Sequence, residues 1–375
     1  MKTLAIIGST GSIGKSALEV YKKNEKDFKL VTLAANTNLK KLKKQYLKFK
    51  PKNIFLIRNL EKKKEKKNKY LITKDFFLKK NIKKIDYVIS GASGYDAINI
   101  NFELIKIAKK LLVANKETIV CGGKVFLDLA KKNKCEIIPI DSEHHCIDFF
   151  LKSFNLKKNI KKIYITASGG PFLNKKINYN EKLHNVVNHP TWKMGRKISI
   201  DSSTFANKVL ELFEAKILFN LPVNKLGIKV EQRSNTHAII KLSNNFIIPI
   251  LHFPSMTIPI SNALGVDNNF HIDLNNFYSD YNDVDVKKFP LVNLGFYILK
   301  NCSSAGFIIF TVLNERLVEK YLKNEVKYGE IVDKLVKLFK HNDLLKKSKK
   351  NIKNIKDIFD TINYAKKIKI WELYL

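Results

Sequence analysis

Hydrophobic and polar positions alternate in a regular order along the first 140 residues. Short apolar runs predict strands at 4–7, 29–35, 53–57, 87–90, 111–114 and 136–140. Between them, apolar residues at helical spacing predict helices at 15–23, 39–48, 96–110 and 123–132. Strands that alternate with helices pack as a parallel sheet with helices on both faces. The pattern therefore predicts an α/β domain over residues 1–140.

The pattern changes after residue 140. A long helix is predicted at 204–219, and strands are predicted at 162–166, 228–230, 238–242 and 246–251, so residues 141–265 have an α+β character. Residues 266–285 are rich in Asn and Asp and are predicted to form a linker. Helical spacing returns at 291–300, 306–323, 330–341 and 352–367. We therefore expect a helical domain over residues 286–375.

Composition narrows the class of protein. No run of about 18 apolar residues is present, which excludes a predicted membrane-spanning helix. The first predicted strand begins at Leu4, which leaves no room for a targeting peptide. The four cysteines form no CxxC pair, which favours a reducing compartment. We expect a cytoplasmic protein with no membrane partner.

The formal net charge is +35, which raises the question of nucleic-acid binding. Arginine, the preferred residue for contacts to phosphate and bases, accounts for only four of the 69 basic residues. The lysines are spread over many segments. We therefore expect no nucleic-acid partner. The densest run, at 62–69, is predicted to be a solvated loop, with contact to a polyanion as the alternative.

A glycine-rich segment, Gly8–Gly14, lies between the first predicted strand and the first predicted helix. Glycines there permit a tight turn and close approach of the backbone to a pyrophosphate at the helix N-terminus. The GxxGxxG spacing is looser than GxGxxG, and an ordinary strand-to-helix turn is the alternative. Thr10 and Ser12 add hydroxyl donors.

The end of the second predicted strand indicates which dinucleotide fits. An NAD enzyme usually has an acidic residue there for the ribose 2′-hydroxyl. This strand ends in Ala34-Ala35-Asn36-Thr37-Asn38, with no acid, and Lys40 and Lys41 follow. A 2′-phosphate is better accommodated than a hydroxyl, so we predict NADP, with Asn36 and Asn38 at the ribose end.

Two carboxylates, Asp141 and Glu143, follow the strand that ends at residue 140. Carboxylate oxygens suit hard cations such as Mg²⁺, but two of them make an incomplete site. Glu211 is the candidate third ligand. On a helix it shares one face with Asn207 and Glu214, and a solvated polar face is the alternative. His144 is expected in the first turn of the next helix, because no HExxH motif is present.

Further polar positions suit an anionic substrate. Ser168 lies in a glycine-rich loop, and Ser202 precedes the helix predicted at 204–219, where exposed amides favour anions. Asn207 and Lys208 would meet a phosphate one turn from Glu211. His189 and Trp192 lie in a polar stretch, where a tryptophan suits a lid that excludes water, with a core position as the alternative.

In this order and spacing, these residues resemble the 1-deoxy-D-xylulose 5-phosphate reductoisomerase family. The resemblance spans nearly the whole chain. It rests on the following segments: Gly8–Gly14, Ala114-Asn115-Lys116-Glu117, Asp141-Ser142-Glu143-His144, Ser168-Gly169-Gly170-Pro171-Phe172, His189-Pro190, Trp192–Lys197, Asp201-Ser202, and Asn207-Lys208 with Glu211.

The resemblance implies a homodimer, each subunit having a Rossmann-like NADPH domain, a central α+β catalytic domain with a lid, and a C-terminal α-helical domain. It implies that NADPH and a divalent metal ion, Mg²⁺, Mn²⁺ or Co²⁺, support rearrangement of 1-deoxy-D-xylulose 5-phosphate to an aldehyde. Hydride transfer then gives 2-C-methyl-D-erythritol 4-phosphate, in the non-mevalonate route to isoprenoid precursors.

The resemblance also implies roles for individual residues. The metal ligands would be Asp141, Glu143 and Glu211, with Lys116 as a further catalytic residue. Substrate contacts would come from Lys116, Ser142, Glu143, Ser168, His189, Trp192, Met194, Ser202, Asn207, Lys208 and Glu211. The nucleotide would face Thr10, Gly11, Ser12, Ile13, Asn36, Asn38, Asn115, Glu117 and Gly195.

The chain departs from the family pattern at several positions. Val209 stands where glycine is common, and the segments 232–237 and 256–260 differ from the usual motifs. At the ribose end, Asn36 and Thr37 also replace the usual residues. These departures bear on the packing of the central sheet, the dimer contact and the strength of NADPH binding. They leave the expected metal and phosphate ligands intact. The rival enzyme class is a metal-free oxidoreductase such as a semialdehyde dehydrogenase. A basic nucleotide-sensing or nucleic-acid-binding protein is the non-enzyme alternative.

Overall fold

A computed structural model describes residues 1–57, 83–95, 97–154, 156–192, 194–267, 275, 277 and 279–370. The lysine-dense run at 62–69 lies outside these ranges. The described residues form two compact units. The first unit takes its residues from 1–115, 126–145 and 255–271, and the second from 116–125, 146–254 and 272–375.

The first unit is built on a sheet of six parallel strands in the order β3-β2-β1-β4-β5-β6. Their bounds are β1 Lys2–Ile7, β2 Phe28–Ala35, β3 Asn53–Leu56, β4 Ile85–Ser90, β5 Ala108–Val113 and β6 Glu136–Pro139. Towards its C-terminal end each strand is buried and largely apolar, as parallel strands covered on both faces require. The α/β fold predicted for this region is confirmed.

The second unit contains a sheet of four strands in the order β10-β9-β7-β8. Their bounds are β7 Ile160–Ala167, β8 Leu226–Val230, β9 Thr236–Leu242 and β10 Ile247–Leu251. β7 pairs parallel with β8 and antiparallel with β9, and β10 pairs antiparallel with β9. Each strand lies within two residues of the predicted bounds, and the mixed sheet confirms the α+β character.

The helices surround these sheets. Their bounds are α1 Ser12–Lys23, α2 Leu39–Phe49, α3 Ala97–Ile107, α4 Lys116–Lys132, α5 Ser142–Phe154, α6 Leu183–Val187, α7 Arg196–Ser203, α8 Ala206–Phe219, α9 Thr257–Leu264, α10 Leu291–Asn301, α11 Ser304–Leu322, α12 Tyr328–Leu338, α13 Asn342–Ser348 and α14 Ile355–Lys367. The helical C-terminal region is confirmed. None of the helices in the described ranges is long and apolar enough to cross a membrane.

The helix predicted at 204–219 begins later than expected. Phe205 has a left-handed backbone, with φ +64°, and separates α7 from α8. Ser202 therefore lies in the last turn of α7, and it still precedes the start of the next helix, α8, at Ala206. The short helices α6 and α7 were missed for different reasons: α6 has only five residues, too few to show a helical period, and six of the eight residues of α7 are polar.

Val209, which stands where glycine is common in the family, packs against a glycine of a neighbouring helix. It is fully buried on α8, and Gly295 of α10 faces it. A Cβ added at Gly295 would lie 2.8 Å from Val209 Cγ1. The larger side chain on one helix is therefore matched by the absence of a side chain on its neighbour.

Candidate active site

The glycine-rich turn joins β1 to α1. Gly8 has φ +81°, and a Cβ added at Gly14 would lie 2.3 Å from the Gly8 carbonyl oxygen. Glycine is therefore required at both positions. Gly11 is the N-cap residue of α1, and no side chain caps the helix there. Because the first amides of a helix have no intrahelical acceptors, those that follow Gly11, including those of Ser12 and Ile13, suit a pyrophosphate.

The ribose end of the predicted cofactor site lies where β2 passes into α2. Asn36 is exposed, and Asn38 caps α2, since its Oδ1 accepts from Lys41 N at 3.0 Å. The first turn of α2 contains Lys40 and Lys41 and no acidic residue. This set of donors and charges fits a 2′-phosphate, and the turn fits a pyrophosphate, so the residues present fit NADPH.

Asp141 and Glu143 lie where β6 ends and α5 begins. Both are half-buried. Asp141 Oδ1 lies 3.0 Å from His144 Nδ1, and Glu143 Oε2 accepts from Ser142 Oγ at 2.6 Å. His144 is in the first turn of α5, as expected, and its fully buried ring orients Asp141. The two acids are thus fixed by their own neighbours in the chain.

Glu211 lies on α8 in the second unit and is buried, with 1% exposure. Its Oε1 accepts from Lys116 Nζ at 2.8 Å and from Asn207 Nδ2 at 2.6 Å, and its Oε2 accepts from Lys208 Nζ at 2.7 Å. A buried carboxylate is tolerated because these lysines balance its charge. The alternative of a solvated polar face on this helix is wrong. Four predicted site residues meet here.

Ser168 and His189 form a second contact in the same unit. His189 Nδ1 accepts from the backbone N–H of Trp192 at 3.0 Å, so the ring proton is on Nε2, which donates to Ser168 Oγ at 2.9 Å. Burial, and then the charge of Lys208, lower the pKa of His189 to about 4. His189 is therefore neutral at physiological pH, and the Ser168 hydroxyl proton is left to face an anion.

Ser202 is brought towards the Ser168 loop by a glycine. Gly170 has φ +67°, and a Cβ added there would lie 3.1 Å from the Ser202 carbonyl oxygen. The loop after β7 therefore approaches the end of α7 more closely than a residue with a side chain would allow.

Trp192 is half-buried and packs edge-on against His237, with ring centroids 6.2 Å apart. His237 in turn stacks on His252 at 3.6 Å. Thr191, next to Trp192, lies 3.0 Å from Ser234, between their hydroxyl oxygens. Met194 is half-buried and Gly195 is the N-cap residue of α7. The sequence predicted no role for Ser234, which lies in the divergent segment 232–237, or for His252, which lies in no recognised motif.

Lys197 ends the segment Trp192–Lys197 that carries part of the resemblance, but the sequence predicted no role for it. It forms ion pairs with Glu117 in the first turn of α4 and with Asp201, the latter at 3.0 Å. Burial lowers the pKa of Lys197, but the attraction of Asp201 and Glu117 outweighs it, and the net pKa is raised. Asn314 Nδ2 donates to Asp201 at 2.7 Å. This network joins α4, α7 and α11 beside Lys116.

The remaining predicted nucleotide residues have distinct environments. Asn115 is buried and its Nδ2 donates to the Gly94 carbonyl oxygen at 3.2 Å. Glu117 is also buried, and burial, which raises its pKa, is outweighed by the charge of Lys197, so the net pKa is lowered. Thr10 lies in the turn before α1. Contact of these residues with a nucleotide stays a prediction.

Family models match most of the chain. The model of 1-deoxy-D-xylulose 5-phosphate reductoisomerase matches residues 4–123, and two models of its C-terminal domains match residues 137–219 and 251–368. The reductoisomerase of Pelagibacter ubique (strain HTCC1062) is 36% identical over 365 residues, which cover 90% of this chain and 91% of that protein. The chain belongs to the 1-deoxy-D-xylulose 5-phosphate reductoisomerase family.

Other relatives agree. The reductoisomerase of Francisella tularensis subsp. holarctica (strain LVS) is 35% identical over 347 residues, covering 88% of this chain and 89% of that protein. A crystal structure of the enzyme with NADPH, fosmidomycin and magnesium has a TM-score of 0.89 and 26% identity, covering 98% and 97% of the chains. The Zymomonas mobilis enzyme with NADPH has a TM-score of 0.82 and 25% identity, covering 97% of each chain.

These similarities confirm the family, the fold class, the enzyme class and the cofactors that the sequence led us to expect, NADPH and a divalent metal ion. The rival prediction, a metal-free oxidoreductase such as a semialdehyde dehydrogenase, is therefore wrong.

Proposed function

We propose that this chain converts 1-deoxy-D-xylulose 5-phosphate to 2-C-methyl-D-erythritol 4-phosphate through the residues described above. The observation that carries the residue assignment is Glu211, a buried carboxylate on a helix that also presents Asn207 and Lys208. Such a helix offers a metal ligand and phosphate donors within one turn.

We propose that Asp141, Glu143 and Glu211 hold the metal ion. The family resemblance implies these three residues, and each of them is a carboxylate. A set of three carboxylates fits a hard cation such as Mg²⁺ or Mn²⁺ and does not favour a soft one. When bound, the ion supplies Lewis acidity and a template for the oxygens of the substrate.

Lys116 has the position of a charge-stabilising catalytic residue. Its ammonium group lies 2.8 Å from Glu211 Oε1 and 2.7 Å from Asn207 Oδ1, which fixes its direction. Retro-aldol cleavage of the substrate develops negative charge on oxygen, and a fixed cation stabilises that charge. Re-formation of a carbon–carbon bond gives an aldehyde, which receives a hydride from NADPH and a proton.

The phosphate end of the substrate is assigned to Ser168, Ser202, Asn207 and Lys208. Lys208 supplies the charge and the hydroxyl and amide groups supply directed donors. His189, which is neutral and donates to Ser168, orients that serine and faces the substrate. Binding energy from the phosphate positions the reacting end for the rearrangement. Ser142, held against Glu143, would contact the substrate beside the metal ligands.

Trp192 and Met194 are assigned to a lid over the substrate. The backbone of Trp192 is tied to His189, and its ring rests on His237. Exclusion of water by such a lid protects an aldehyde and strengthens electrostatic contacts beneath it. NADPH is assigned to the residues that the family resemblance implies: residues 10–13, Asn36, Asn38, Asn115, Glu117 and Gly195.

We also propose that the protein is a homodimer that uses the edge of β10. The two edge strands of the four-stranded sheet differ. β8 pairs with Asn282 at Val230. By contrast, Ile247, the first residue of β10, is 60% exposed, and Phe246, just before the strand, is 67% exposed. An apolar edge strand favours pairing with another chain. A cytoplasmic location fits the four free cysteines.

The decisive assay follows NADPH oxidation at 340 nm by purified protein with 1-deoxy-D-xylulose 5-phosphate, with Mg²⁺ and after chelation. We expect oxidation only when substrate and metal ion are both present, with stoichiometric formation of 2-C-methyl-D-erythritol 4-phosphate. Folded protein that oxidises no NADPH in the presence of metal ion would contradict the proposal. Equal activity after chelation would remove the metal from it.

A further inference from the structure

One side chain outside the glycine-rich turn holds it in place. Gln45 Oε1 accepts a hydrogen bond from Ser9 Oγ at 2.7 Å, and Gln45 Nε2 donates to the Ser9 carbonyl oxygen at 2.8 Å. Ser9 is fully buried, at 0% exposure. Both ends of the Gln45 amide are thus matched to two groups of a single buried residue.

Ser9 also connects the turn to the end of β2. The backbone N–H groups of Gly8 and Ser9 each donate to the Ala34 carbonyl oxygen at 2.8 Å. Ala34 lies two residues before Asn36, at the predicted ribose end, and Gln45 lies on α2, whose N-cap is Asn38. Gln45 therefore closes a ring of contacts that runs from the turn to β2, along α2 and back to the turn.

The turn needs such support for a physical reason. Three of its seven residues are glycines, which have more accessible backbone conformations than any other residue. Binding of a pyrophosphate through backbone N–H groups requires that those groups point in fixed directions, because hydrogen bonds weaken steeply when bent. A turn that is not held would have to be ordered by the ligand, at a cost to affinity.

We infer that Gln45 is a positioning residue for the cofactor, which sets affinity for the pyrophosphate by fixing the Gly8–Ser9 turn. This inference rests on the proposed placement of NADPH at that turn. Gln45 acts through Ser9. It affects the binding of the pyrophosphate, a group that NADPH and NADH share. The preference for NADPH depends instead on the residues that follow β2, where the 2′-phosphate is expected to bind.

The test is the dissociation constant of NADPH, measured by titration of its fluorescence without substrate. Gln45→Met preserves the length of the side chain and removes both hydrogen bonds, so we expect the dissociation constant to rise about tenfold. The ratio of the NADH and NADPH constants stays unchanged. Ser9→Ala removes one bond and gives a smaller rise. In the Gln45→Met background, Ser9→Ala adds little, because the two residues act as a pair.

Leu47→Met is the matched control, since it places the same side chain on the same helix at a site that is 73% exposed. It leaves NADPH binding unchanged. Wild-type affinity in folded Gln45→Met would overturn the inference, as would a change in the cofactor ratio. Should Gln45→Met fail to fold, wild-type affinity in Ser9→Ala would overturn it. Failure of the wild-type protein to bind NADPH would instead contradict the cofactor assignment itself.

Discussion

The carboxylate of Glu211 is buried, and each of its two oxygens accepts a hydrogen bond from a different lysine. Glu214, one turn further along α8, is equally buried at 1% exposure but has no place in the proposed chemistry. The two residues therefore separate the effect of losing a buried acid from the effect of losing a metal ligand.

Glu211→Gln should lower turnover by at least about 100-fold, the upper end of the loss seen for residues that only support a metal ligand. Titration with Mn²⁺, followed by electron paramagnetic resonance, should show a matching loss of metal affinity. Glu214→Gln should keep both turnover and Mn²⁺ affinity, whatever its effect on stability. Full Mn²⁺ affinity in Glu211→Gln would exclude Glu211 from the metal site.

His189 gives a prediction about pH. Its pKa is about 4 in the folded protein, because burial and Lys208 disfavour the charged form, whereas an unfolded histidine has a pKa near 6.5. Below the unfolded pKa, the unfolded chain takes up a proton that the folded protein does not. The contribution to stability is therefore complete above about 6.5 and is lost as the pH falls towards 4.

Denaturant titrations at pH 7.5 and pH 5 measure this contribution. The fall in the free energy of unfolding between these values should be smaller in His189→Gln than in the wild-type protein. His184→Gln, at an exposed site in the same region, should behave as the wild type does. An equal fall in all three proteins would contradict the assignment of a neutral, buried His189.

At the scale of elements, α8 and α10 show how a departure from the family pattern is accommodated. Val209 fills the space that Gly295 leaves, so neither position is understood alone. Hydrophobic periodicity predicts both helices to within two residues, yet it contains nothing about which residue of one helix meets which residue of the other.

Gly295→Ala should destabilise the protein by about 1–3 kcal/mol, because the added methyl group overlaps Val209 in a packed core. The free energy of unfolding from urea titration measures the loss. Val209→Ala should restore much of it in the double variant, since the two side chains compete for one space. Additive losses in the double variant would show that the contact does not determine the cost.

At the scale of the whole molecule, the proposed dimer makes a prediction about β10. Ile247→Lys places a charge on the exposed apolar edge and should convert the dimer to a monomer in sedimentation velocity experiments. Leu47→Lys changes an apolar residue on α2 that is 73% exposed, and this variant should still sediment as a dimer. A dimer that survives Ile247→Lys at micromolar concentration would place the interface elsewhere.

The expected family and the main strands and helices are confirmed because their signals are local. Strands were found within three residues of the predicted bounds because apolar runs and alternation report directly on burial. The short helices α6, α7 and α13 were missed, and so was α9, where Pro259 obscured the helical spacing. Ser202 does precede α8, but the sequence did not show that it also lies in the last turn of a separate helix, α7.

The sequence alone determined that the chain has a glycine-rich strand-to-helix turn, acids at the end of β6 and a helix with one polar face. Only the tertiary structure decided that this face is buried and that Glu211 meets Lys116, 95 residues earlier in the chain. It likewise joined Gln45 to Ser9 and His189 to Ser168. Periodicity shows which face of a helix is polar, but the packing of distant segments decides whether water or another side chain meets that face.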